Sequence, residues 1–71
     1  MKDKLDILDV VALLDFIPGE PVQPGQIGTI VEKLADSVYE VEFADRKGRT
    51  ITTCAIEARQ LLRLTHELVL A

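Results

Sequence analysis

The stretch PGEPVQPGQIG, Pro18 to Gly28, packs three prolines and three glycines into eleven residues. A proline inside a helix removes a backbone donor and clashes with the carbonyl one turn back, so no helix runs through Pro18, Pro21 and Pro24. The segment reads as a long, semi-rigid loop, and the chain on either side of it must form separate short elements. Upstream, DVVALLDFI is apolar at Val10, Val11, Leu13, Leu14, Phe16 and Ile17. Its period fits a buried strand or a short helix equally, and the loop that follows selects the strand.

Downstream the signal turns to β. TIVEKL and VYEVEF are rich in Ile, Val, Tyr and Phe and are separated by the turn-prone Ala35-Asp36-Ser37. In the second run Tyr39, Val41 and Phe43 share one face while Glu40 and Glu42 share the other, the alternation of a strand with one face in a core. ADRKGRT follows as a hairpin turn, with Asp45 bonding its own backbone and Gly48 supplying the positive φ of a type I turn with a G1 bulge. A three-residue loop sets Asp45 opposite Arg49. That register sets Phe43 opposite Ile51, Glu42 opposite Thr52 and Val41 opposite Thr53, with Cys54 beside Glu40 on the outer face unless the strand bends. A four-residue loop would instead set Phe43 against Thr50 and expose Ile51, and the first is preferred because it buries two large apolar groups together. Two readings of AIEARQLLRLTHELVLA stand open. One is an amphipathic helix through Leu61, Leu64 and Leu68. The other, favoured because a small sheet needs a last edge partner, is one turn at Glu57 to Gln60 and a strand from Leu61 to about Leu64.

With 71 residues the chain is one small domain, able to bury roughly 60% of the surface its unfolded form exposes. Its core is expected over about residues 8–64, with 65–71 a tail or strand extension. A 48% hydrophobic share places it among folding chains rather than disordered ones. The formal charge is −4, which sets the mean field against phosphate backbones and makes nucleic acid an unfavoured partner. That charge is uneven: 3 basic residues stand against 10 acidic ones through Asp45, and 5 against 2 beyond it. Asp3, Asp6, Asp9 and Asp15 interrupt the N-terminal apolar positions, so neither a leader segment nor a membrane span is expected and a cytoplasmic location follows. A single Cys54 offers no internal disulfide, and no Cys/His cluster has the spacing of a zinc site.

The elements LDVVALLDFIPGEPVQPGQIGTIVEKLADSVYEVEFADRKGRT, above all the DVVALL opening, PGQIGTIVE, and YEVEF followed by Asp45 and Gly48, resemble an uncharacterised bacterial family of stand-alone SH3-like domains, domain of unknown function 4926. The resemblance extends over Leu8 to Leu64. It implies an all-β, SH3-like small barrel of about five antiparallel strands, with a long Pro/Gly loop after strand 1 and a one-turn helix before the last strand. It carries over no agreed activity, although SH3-like relatives are mostly binding modules and subunits of assemblies.

Each candidate for chemistry has a plainer structural account. Gly25-Gln26-Ile27-Gly28 has the Gly-x-x-Gly spacing of a KH-domain loop, but it lacks both the flanking helices and any nearby cation before Lys33. Its glycines are expected to permit a tight turn into a strand, with Ile27 and Ile30 packing inward. Cys54 and His66 would need to meet, with a third group to orient the base, for nucleophilic catalysis. No catalytic, cofactor or metal site is expected, and the protein is read as non-enzymatic. The residues assigned to a partner surface are Phe16 and Tyr39 near the long loop, Glu40 and Glu42 on the acidic strand face, and Arg46, Lys47 and Arg49 at the hairpin tip. The expected partner is another protein, in an accessory or regulatory role within a larger assembly or toward a neighbouring gene product. A nucleic-acid-binding small barrel and an antitoxin or immunity-type protein are the alternatives. Leu68, Val69 and Leu70 of the tail could pair copies into a homo-oligomer.

Overall fold

The computed structural model describes residues 5–64. Five strands form one antiparallel sheet: β1 (Val10–Leu13), β2 (Ile27–Ala35), β3 (Val38–Ala44), β4 (Thr50–Glu57) and β5 (Leu61–Leu64), with a single 3-10 turn at Ala58–Gln60. The strand order is β4-β3-β2-β1-β5. A flat five-strand sheet would hold β4 and β5 about 19 Å apart. Glu57 and Leu61 are joined through only the 3-10 turn, a reach of at most about 14 Å. The sheet must therefore roll, and it does: Ile56 of β4 and Leu61 of β5 lie in one core with residues of the three strands between them. This is the SH3-like small barrel that the resemblance implies, and through Leu64 the chain takes the turn-and-strand course rather than the helical one. Among the described residues no helix is long and apolar enough to cross a membrane.

The core follows from strand alternation. Val11, Leu13, Gly28, Ile30, Tyr39, Val41, Phe43, Cys54, Ile56 and Leu61 face inward and are buried. The Pro/Gly loop adds Val22 to this core, where it is also buried. It is tied down where the Gly25 N–H donates to the Leu13 carbonyl (2.7 Å) and the Gln26 N–H to Gln23 (3.0 Å). Gly25 has φ 92, a left-handed backbone that a side chain would strain.

The β3-β4 hairpin confirms the turn and corrects the register beyond it. The Asp45 N–H donates to the Arg49 carbonyl (2.8 Å) and the Gly48 N–H to the Asp45 carbonyl (3.0 Å), with Gly48 at φ 84. Ala44 pairs with Thr50 as that loop dictates, but the next pair is Phe43 with Thr52, and Ile51 is left over as a bulge. Val41 therefore faces Cys54, not Thr53, and Glu42 faces Thr53, not Thr52. A one-residue slip exchanges the faces of everything beyond it. The uninterrupted register would bury Ile51 and turn Cys54 and Ile56 to water. The bulge does the reverse, leaving Ile51 40% exposed and burying Cys54 and Ile56. Two apolar groups inside outweigh one.

Candidate functional site

The outer face of the sheet is legible only when strands are set side by side. Ala12 of β1 lies opposite both Leu62 of β5 and Ile27 of β2, so these three form one apolar row across three strands. Val10 lies opposite Leu64 and Thr29, which forms a second row on the same face. Ile27 is 47% exposed and Leu62 is 51% exposed. This corrects the expectation that Ile27 packs inward, because Gly28 and Ile30 take the inward positions of β2.

Across β2 the same face turns acidic. Thr29 is followed by Glu42 on β3, and one step further along the strands Glu32 of β2 stands directly opposite Glu40 of β3. Like charges facing each other across an antiparallel pair are destabilising. Among the described residues no cation forms a salt bridge with Glu32, Glu40 or Glu42; Glu42 accepts a hydrogen bond from the Thr50 hydroxyl. Arg49 is drawn to Asp45 (3.1 Å), Arg59 to Glu57 (2.6 Å) and Arg63 to Asp9 (3.6 Å).

The structure brings together some of the residues picked out from the sequence and separates others. Glu40 and Glu42 share the acidic face as alternation requires. Arg46, Lys47 and Arg49 are exposed at the β3-β4 tip. Phe16 stands 65% exposed in the loop after β1. Tyr39 is corrected: only 3% exposed, it belongs to the core and offers a partner almost no surface. The apolar rows were missed, because Leu62, Ala12, Ile27, Leu64 and Val10 sit on three short strands distant in sequence and only their pairing unites them. His66 and the tail residues Leu68, Val69 and Leu70 lie outside the described residues, and the Cys-His pair and tail-mediated oligomer lie there with them.

Two titratable groups are shifted by local structure. The Arg49 backbone N–H (2.9 Å), the Lys47 N–H (2.8 Å) and the Arg49 guanidinium hold the Asp45 carboxyl below the ordinary carboxylate range. A depressed folded value means that this contribution to the hairpin is complete above the ordinary range and is lost as pH falls through the lowered value. In a carbon-detected NMR titration Asp45 should protonate at lower pH than an aspartate in an unstructured reference peptide, and protection of the Arg49 amide should vanish in that same step. An Asp45 titration coincident with that of the peptide would contradict the arrangement.

Burial pushes the Cys54 thiol up, with the negative charge of Glu20 adding to the shift. Glu20 reaches this side of β4 from the loop, where its Oε1 accepts from the Thr52 hydroxyl at 3.5 Å. The strand bulge, not the uninterrupted register, places Cys54 inside. Its protonated, covered thiol should react with iodoacetamide only slowly at neutral pH and become fully reactive in denaturant. Rapid modification of the folded chain would show that β4 does not cover it.

The Gly-x-x-Gly segment is divided between two structural tasks. Gly25 makes the turn and Gly28 lies buried in β2 against β3. The pair does not form a single loop that could clamp a nucleic-acid backbone.

Comparison with curated proteins and with solved structures returns no match. The sequence profile described as Domain of unknown function (DUF4926) matches residues 7–63. The all-β architecture and that match agree with the resemblance carried by DVVALL, PGQIGTIVE and YEVEF, and the chain belongs to the DUF4926 family.

Proposed function

We propose that this domain is a non-enzymatic protein-interaction module, an accessory or regulatory partner of a larger bacterial assembly or of a neighbouring gene product in the cytoplasm. The observation that carries the reading is the apolar outer face of β5, β1 and β2, where Leu62, Ala12 and Ile27 lie in one row beside Leu64 and Val10. Contiguous exposed apolar surface on a small domain marks a place where another surface docks. A nucleic-acid interface would instead need cations on that face. Its neighbours are carboxylates, and three of the arginines are held by acidic groups.

The test is a paired variant, Ile27→Ser with Leu62→Ser, expressed in the native host beside the parent chain. The fold should survive, since both side chains are already half in water. Proteins recovered with the parent above an untagged control should be lost from the variant. Recovery of the same proteins at the same yield by a folded variant would refute the reading.

A further inference from the structure

We infer that the outer face of β5, β1 and β2 takes an amphipathic helix from a partner protein, with apolar side chains along its underside and lysine or arginine along the edge that meets Glu32, Glu40 and Glu42. The inference rests on the protein-binding reading above and adds the chemistry of the partner.

The size of the face suits one helix. Three strands are about 10 Å across and successive residues on one face are about 7 Å apart, close to the diameter of a helix and somewhat more than one helical turn. The two rows, Leu62-Ala12-Ile27 and Leu64-Val10, fill that footprint.

Charge selects the helix. On the side toward β3 the apolar rows end at Thr29, and Glu42, Glu32 and Glu40 follow. Glu32 and Glu40 face each other with no salt-bridge partner among the described residues, although Lys33, Arg46, Lys47, Arg49, Arg59 and Arg63 are among them. An opposed pair of carboxylates disfavours the fold and becomes favourable once a cation lies over it. Anionic surfaces, nucleic acid among them, meet repulsion there. A second copy of the chain would bring its own Glu32, Glu40 and Glu42 to the same contact.

Leu8, just before β1, lies next to β2. Its N–H donates to the Ile30 carbonyl at 2.7 Å, beside the point where β2 passes from apolar to acidic. It is the one non-glycine described residue with positive φ, at 76, and it is 73% exposed. A leucine held toward solvent on a left-handed backbone is unfavourable for the isolated domain twice over, through conformation and through hydration.

The experiment uses the full nitrogen-labelled chain and three synthetic helical peptides as probes: a leucine/lysine amphipathic helix, its leucine/glutamate counterpart, and the lysine peptide with its leucines replaced by serine. The leucine/lysine peptide should shift the amides of Val10, Ala12, Ile27, Thr29 and Leu62 and bind at least about tenfold more tightly than either control, weakening as salt rises from about 0.05 to about 0.5 M. Glu40→Lys places a cation opposite Glu32, so its thermal midpoint should hold or rise while it loses at least about tenfold in affinity for the leucine/lysine peptide. Loss of fold and loss of binding thus move in opposite directions. Equal binding of the serine peptide, shifts confined to another surface, or undiminished binding by Glu40→Lys would each overturn the inference. So would concentration-dependent self-association that moves these same amides, which would make a second copy the occupant. If host proteins are lost with Ile27→Ser/Leu62→Ser but retained by Glu40→Lys, the basic helix is wrong and the protein-binding reading stands.

Discussion

Phe43→Ala is expected to destabilise the domain by about 3–5 kcal/mol. Phe43 is the largest side chain that is fully buried, and it belongs to the core that all five strands share. Removing its ring forfeits the transfer free energy of the aromatic group and leaves a cavity that the surrounding strands fill only in part. A chain of this length has a total stability of about 4–10 kcal/mol, so the loss takes about a third to a half of it at the upper end of that range and most or all of it at the lower end. Urea unfolding followed by circular dichroism would show the shift as a lower midpoint with a similar slope. Glu42→Ala, one residue away on the opposite face, removes one exposed hydrogen bond from Thr50 and should cost less than about 1 kcal/mol. Comparable losses at the two positions would refute the assignment of faces on β3.

Gly28→Ala is also expected to destabilise the domain, by crowding rather than by leaving a cavity. A Cβ built on Gly28 falls 2.7 Å from Val41 Cγ1, 2.9 Å from Phe43 Cδ1 and 3.0 Å from the Glu42 carbonyl oxygen. Two of these neighbours are fully buried side chains and the third is backbone, so the strands must part or the core must repack. Such overpacking costs about 1–3 kcal/mol, and valine, with two further carbons, should cost more. Gly28 is not a turn residue, and its backbone needs no left-handed conformation. What it supplies is close approach. Combining Gly28→Ala with Val41→Ala tests this in a double-mutant cycle: room made at Val41 should relieve part of the strain, giving a combined loss smaller than the sum. Additive losses would show that the two side chains do not compete for one space.

The parts of the fold legible in the sequence were those governed by local chemistry. Pro18, Pro21 and Pro24 excluded a helix, Asp45 and Gly48 gave the hairpin turn, and the alternation of Tyr39, Val41 and Phe43 with Glu40 and Glu42 gave the two faces of β3. The register of β4 was not legible, because a bulge is decided by the balance of burial along a whole strand. Ile51 near the turn favoured one answer, and Cys54 with Ile56 further along favoured the other. Tyr39 was misassigned for a related reason: an aromatic residue with a polar tip suits a ligand groove and a core edge equally, and only packing distinguishes them. The candidate interface was half legible. Its acidic part lies along one strand, whereas its apolar part exists only through the pairing of β5 with β1 and β1 with β2.

The extra residue at Ile51 also bears on how this hairpin can change over time. It divides β4 into a short segment in step with the turn and a longer one in step with the core, and the mismatch between the two is taken up at one position. A one-residue change in the length of the 45–49 tip can thus be absorbed by creating, moving or deleting that bulge, leaving Thr52, Cys54 and Ile56 in place. The tip can vary in length while the interior keeps its packing, so diversity in loop length among relatives should concentrate on the proximal side of Ile51.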